Sequence, residues 1–208
     1  MNGLLTQCGS QQCSLEELLA VETPPKTETY TPLNHYDFAL NTLTIASDLL
    51  KGYQFDGDSY ALSSHGQKMF GVLTYRNPSE QYSDLKVAIG IRNSHDKSFS
   101  AGVVVGSTVV VCDNLIFSGN QTVLRRHQGE NMHDDLENQI VAALYKSQHK
   151  YDELTGDVKK MKQVPMQRKE KFEFLGILTG EGVLSPTQSS KAYREIWEPS
   201  YEEFTSES

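Results

Sequence analysis

Cysteine is scarce in this chain, with three in 208 residues (Cys8, Cys13 and Cys112), and tryptophan occurs once. Three unpaired-looking thiols with no C-x-x-C spacing exclude a disulfide framework and a cysteine-rich zinc cage, and they fit a reducing compartment. No apolar run approaches the roughly 20 residues of a membrane span, and Met1 to Ser14 lacks the basic and apolar regions of a secretory signal. A soluble, intracellular protein with no membrane partner is therefore expected. A uniform basic surface is also missing: 19 Lys and Arg against 27 Asp and Glu leave a net charge of -8. That excludes a protein that coats a polyanion everywhere but leaves room for a local basic surface.

The residues that are present are 38% hydrophobic and 22% charged, which suits one globular domain with a real core. Ser14 and Glu17 stand at capping-box spacing before a short helix that Pro24-Pro25 stops. Thr31-Pro32 reads as N-cap and first turn of a helix whose apolar positions, Tyr36, Ala39, Leu40, Leu43, Ala46 and Leu50, recur at three and four until Gly52. The period then changes to two. Asp58 to Ser63 and Gln67 to Tyr75 flank a Ser64-His65-Gly66 turn, Leu85, Val87, Ile89 and Ile91 alternate, and Phe99 to Val105 and Thr108 to Cys112 read as a hairpin about Gly106-Ser107. Asn131 caps a helix with Met132, Leu136, Ile140, Leu144, Tyr151, Leu154 and Val158 on one stripe, interrupted at Gly156; shorter elements follow at Phe172 to Leu178 and Tyr193 to Trp197. The expectation is an α+β fold: a mainly antiparallel sheet of four or five strands packed against two or three helices. Residues 1–30 form an N-terminal extension with a short helix, 31–197 a single α+β domain, and 198–208 an acidic disordered tail.

Catalytic patterns are weak. Ser94-His95-Asp96 holds three triad residue types, but neighbours on one turn do not point at one another as acyl transfer requires. Cys112 ends an apolar strand without a cation to lower its pKa. His127, His133, Asp134 and Asp135 lack the second histidine of a zincin-like pair. No metal, no cofactor and no catalytic residue is assigned, and a hydrolase using Ser94, His95, Asp96 or Cys112 ranks last.

Binding patterns are stronger. Residues 1–60 carry two Lys against eight acids, whereas residues 158–171 carry six cations against Glu170 alone. Alternation places Lys86, Ala88, Gly90 and Arg92 on one sheet face, and Lys68, Phe70 and Arg76 share a parity on the neighbouring strand. A cationic face with small residues lets a single strand approach, while Phe70, Tyr60 or Tyr82 stacks a base. Arg125 and Arg126 lie beyond the sheet, and Lys97 follows the Ser94-His95-Asp96 turn. The nucleic-acid-binding set is thus Lys68, Phe70, Arg76, Lys86, Arg92, Lys97, Arg125 and Arg126. In the tail, Tyr201, Glu202, Glu203 and Phe204 suit a partner-binding segment. Rival readings are a protein-interaction module, such as an anti-defence inhibitor acting through the acidic N-terminal third, and a recombination annealing protein.

Between Gly90 and His127 the chain carries Arg92-Asn93-Ser94-His95-Asp96-x-Ser98, a valine-rich stretch, Val111-Cys112-Asp113-Asn114 and Arg125-x-His127. This pattern resembles a phage- and plasmid-encoded family labelled as a domain of unknown function, and the compact length is similar to the single-stranded-DNA-binding RNA polymerase cofactors of podoviruses with a virion RNA polymerase. The resemblance implies sequence-tolerant single-stranded DNA binding in phage replication. It also implies recruitment of phage RNA polymerase to promoters, in the cytoplasm of the infected bacterial host. A homo-oligomer would add grip through multivalency.

Overall fold

A computed structural model describes residues 4–6, 9–78, 86–106, 110–112 and 117–200. The chain divides into two compact units, Met1–Thr155 and Gly156–Ser208.

The first unit is built on an antiparallel sheet. Strands β2 (Gln11–Cys13), β3 (Gln54–Ser63), β4 (Lys68–Arg76), β5 (Lys86–Ser94), β6 (Ala101–Gly106) and β9 (Gln121–Arg125) lie side by side in that order. Six strands replace the expected four or five because Gln11–Cys13 pairs with β3 at one edge and Gln121–Arg125 pairs with β6 at the other. Three short strands, β1 (Leu4–Leu5), β7 (Val110–Cys112) and β8 (Phe117–Ser118), form a second sheet, with β1 parallel to β7. The valine-rich pair expected as a hairpin is therefore split: β6 lies in the large sheet and β7 in the small one.

Helix α1 (His35–Leu49) begins three residues later than expected. Asn34 is the true cap, its Oδ1 accepting from the Asp37 N–H at 3.0 Å. Thr31 instead ties its N–H to the His127 carbonyl at 2.9 Å and its hydroxyl to the Gly129 carbonyl at 3.0 Å. The Ser14–Glu17 box does form, with reciprocal bonds of 2.7 and 3.2 Å ahead of a 3-10 helix, Glu16–Ala20. Helix α2 (Met132–Lys162) runs through Gly156 without a break.

The alternation of the strands sorts two cores. On one face Leu73, Tyr75, Val87, Ile89, Ile91, Val103 and Val105 meet α1 and the stripe Met132, Leu136, Ile140 and Leu144 of α2. Tyr60 lies over Gly71 on this face, where a Cβ would come within 2.6 Å of the ring. On the other face Phe70, Val72, Ala88 and Val104 are buried with Val111, Leu4, Phe99 and Phe117 of or beside the small sheet. Both faces of the central strands are dry, which is why β5 and β6 read as nearly continuous apolar runs.

The second unit contains α3 (Arg168–Gly180) and α4 (Pro186–Trp197), so the described residues hold four α-helices rather than two or three. Both carry capping boxes, Gln167 with Glu170 and Ser185 with Gln188.

Because Phe70 is 1% exposed, Phe70→Ala should cost about 3–5 kcal/mol of stability in urea unfolding, as a large buried aromatic does. A loss under about 0.5 kcal/mol, the value for a surface residue, would return Phe70 to an exposed face.

Candidate functional site

The face expected to be bare and cationic has the expected parity but is covered. Phe70 pairs with Arg92, Thr74 with Ala88 and Arg76 with Lys86 in the register of β4 and β5, yet Ala88, Phe70 and Val104 sit under the small sheet. No strand of nucleic acid lies along this surface without displacing β1, β7 and β8. Tyr60 is also buried, on the opposite face, and Tyr82 and the tail residues Tyr201, Glu202, Glu203 and Phe204 lie outside the described residues.

The cations are committed locally. A bulge between Phe55 and Gly57 turns Asp56 out of the β3 ladder, and its carboxylate takes Lys86 at 2.6 Å and Arg76 at 3.5 Å. Lys68 pairs with Asp96 at 3.6 Å, and Arg125 with Asp135 at 2.9 Å. Arg92 is half-buried, its guanidinium 4.5 Å from the Phe117 ring centre and 5.2 Å from that of Phe99, and its Nε has no hydrogen-bond partner. Gly102, opposite Arg92, makes this stack possible: a Cβ there would fall 2.9 Å from Phe117 and 2.8 Å from Leu124. Lys86 and Arg92, six residues apart on one strand, are separated by roughly 20 Å and form no common trough.

Lys97 and Arg126 behave differently. Both are exposed, neither pairs with a carboxylate among the described residues, and both line one cleft of about 390 Å³ with Tyr30, Phe99 and His127. Lys97 sits at φ +63, a left-handed conformation rare outside glycine, and its ammonium rests 4.5 Å from the Tyr30 ring centre. The turn that places it is held by local bonds: Ser94 Oγ donates to the Phe99 carbonyl at 2.7 Å, and the Ser98 N–H donates to Asp96 Oδ1 at 3.0 Å. Ser94, His95 and Asp96 thus face different partners and form no relay.

Behind the cleft lies a buried polar cluster that sequence reasoning did not assign. His35 and His95 stack face to face, centroids 3.8 Å apart at 2°. The Asn93 side-chain amide donates to the Leu33 carbonyl at 2.6 Å and to His35 Nδ1 at 2.9 Å, while His35 Nε2 donates to the Gly66 carbonyl at 3.0 Å. His95 Nε2 donates to the same Leu33 carbonyl at 2.9 Å. These partners select the neutral Nε2–H tautomer of His35, because a proton on its Nδ1 would face the amide donor of Asn93, and they put a proton on Nε2 of His95. Burial, and then neighbouring His95, push His35 down to about 3. Burial lowers His95 as well, against the pull of the Leu33 carbonyl and Asp96.

His127 joins the cluster to the cleft. It is 6% exposed, its ring lies 5.7 Å from Tyr30, and burial with His95 nearby pushes it down to about 4. Its ring nitrogens are sealed from solvent and make no well-formed hydrogen bond, although the nearby Thr31 backbone opposes the shift, and His95 Nδ1 and Asn93 Oδ1 are likewise without a well-formed bond. The signal available in the sequence was the convergence of Asn93, His95 and His127 within one segment, but spacing alone does not reveal that the two ends of that segment meet. His133 bonds the Pro32 carbonyl at 3.1 Å, and among the described residues no group of three or more His, Cys, Asp or Glu is placed to hold a metal ion.

A scan against protein families matches residues 28–203 to the Domain of unknown function (DUF932). The chain belongs to the DUF932 family. Neither the comparison with curated proteins nor that with solved structures found a match. Both the cleft and the histidine cluster fall inside the DUF932 region, as do the Arg92–Ser98 turn and the Arg125–His127 segment that form them. Among the described residues no helix is long and apolar enough to cross a membrane.

The neutral histidines set a pH dependence. Their folded pKa values lie below the ordinary value near 6.5, so below about pH 6.5 the unfolded chain takes up protons that the fold refuses down to about 3 for His35 and about 4 for His127. Their stabilising contribution is full above about pH 6.5 and falls by about 1.4 kcal/mol per pH unit for each ring kept neutral. Urea midpoints between about pH 7 and pH 4.5 should show this decline, less steeply in His127→Gln; a flat profile would contradict the buried neutral cluster.

Proposed function

We propose that this DUF932 protein binds single-stranded DNA without sequence preference, as a non-enzymatic binding protein, and that the contact is the cleft at the end of the sheet rather than the sheet face. The observation that carries the reading is that Lys97 and Arg126, two exposed cations free of carboxylates among the described residues, line one cleft. A cation already neutralised by a carboxylate at 2.6–3.6 Å has little left to offer a phosphate, as with Lys86, Arg76, Lys68 and Arg125. Two free ones attract a polyanion by counterion release despite the net negative charge of the whole chain.

The narrower role implied by the podoviral resemblance belongs to the same proposal. In it the protein acts in the cytoplasm of an infected bacterium, in replication and as a cofactor of phage RNA polymerase, with Tyr201 to Phe204 as the polymerase-binding segment. Self-association would multiply one small cleft into a longer footprint.

A second reading, a protein-interaction module, draws on the apolar side chains that α3 and α4 leave exposed, among them Phe174, Ile177 and Trp197. Retention of a host protein after nuclease treatment would favour it over DNA binding.

Fluorescence anisotropy with a labelled oligonucleotide tests the main reading. Arg126→Ala and Lys97→Ala should each weaken binding by about fivefold or more and lower the salt slope by about 1, while Lys86→Ala and Arg76→Ala stay within about twofold of the parent. Binding that ignores salt, or losses confined to Lys86 and Arg76, would overturn it.

A further inference from the structure

The cleft carries a charge and donor pattern more selective than a strand-binding surface needs. Lys97 and Arg126 contribute two positive charges, and no carboxylate is among the described residues lining it. Asp96, next in sequence to Lys97, is turned away onto Lys68 and the Ser98 N–H. Thr29, Ser98 and Ser100 add hydroxyls to the wall. His127 stands in the wall of the same space, more than nine-tenths buried and with its ring nitrogens sealed from solvent, so it shapes the cleft.

The complement of two cations and several hydroxyls is a compact dianion rich in acceptor oxygens. A phosphate monoester has that character, with a charge of about -1.5 to -2 near neutral pH and three terminal oxygens. An internal phosphodiester carries one charge and offers two. We propose that the cleft is a phosphomonoester site, taking a terminal phosphate with Lys97 and Arg126 against its charge and the hydroxyls of Thr29, Ser98 and Ser100 among its hydrogen-bond partners. The phosphate is carried either by the end of a DNA strand or by a free nucleotide. The inference deepens the strand-binding reading and rests on it only for the strand as carrier.

The test compares one labelled oligonucleotide with a phosphate or a hydroxyl at its ends, in anisotropy titrations, with adenosine monophosphate and inorganic phosphate as competitors. The phosphorylated strand should bind about tenfold more tightly, adenosine monophosphate should compete with it, and the preference should vanish in Arg126→Ala and in Lys97→Ala. Equal affinity for the two strands overturns the monoester site and leaves strand binding standing. Adenosine monophosphate binding without any strand binding supports the site and overturns the strand reading. Binding of neither strand, nucleotide nor phosphate overturns both.

Discussion

The Leu33 carbonyl oxygen is the point on which the functional end of the fold depends. It accepts from the Asn93 amide at 2.6 Å and from His95 Nε2 at 2.9 Å, so the segment that enters α1 is bound to the end of β5 through both lone pairs of one atom. The Asn93 amide also reaches His35 at the start of α1, and His35 reaches the β3–β4 turn at Gly66. Helix, central strand and turn are thereby held in one geometry. These bonds are made in a dry interior, where an unmet donor or acceptor is costly and a met one is correspondingly specific. The neutral state of His35 follows from the same arrangement, because the Asn93 donor leaves no place for a second proton on the ring.

The cleft inherits its shape from that junction. Tyr30 donates to the His95 carbonyl at 3.3 Å, and Thr31 bonds the His127 backbone, so the extended segment before α1 bridges the β5–β6 turn and the chain leaving β9. Lys97 and Arg126, 29 residues apart in sequence, are brought to one opening by this bridge. Several charges on and beside the sheet pair off. Asp56, displaced by a bulge, answers Arg76 and Lys86, and Asp135 at the start of α2 answers Arg125, with the helix dipole favouring an acid at that position. Of the seven cations read from the sequence as nucleic-acid contacts, Lys68, Arg76, Lys86 and Arg125 find a carboxylate, whereas Lys97 and Arg126 find none among the described residues.

In the second unit, the basic run that looked suited to a phosphate backbone is partly absorbed in the same way. Lys160 lies 3.5 Å from Asp157 and Lys169 lies 3.6 Å from Glu173, both one helical turn apart. Arg168 stacks on Trp197 at 3.7 Å and donates to its backbone carbonyl at 3.2 Å, which ties the start of α3 to the end of α4.

Local signals in the sequence were enough for much of the architecture. Period-two alternation in Lys68–Arg76 and Lys86–Ser94 set which side chains share a face, the three-and-four stripe from Met132 to Tyr151 identified the buried side of α2, and the Ser14–Glu17 box marked its short helix. Each of these depends on residues within a turn or two of one another, so spacing alone suffices. What lay beyond the sequence was which face meets water and which charges meet each other. Arg92 and Phe70 alternate as an exposed cationic face would, and only the arrival of β1, β7 and β8 from other parts of the chain buries Phe70 and half-covers Arg92. Asp56 neutralises Lys86 from 30 residues away, and His127 reaches the His95 turn across β6 and β9. Exposure, ion pairing and the histidine cluster are products of long-range contact, and parity along one strand carries no information about what another segment lays upon it.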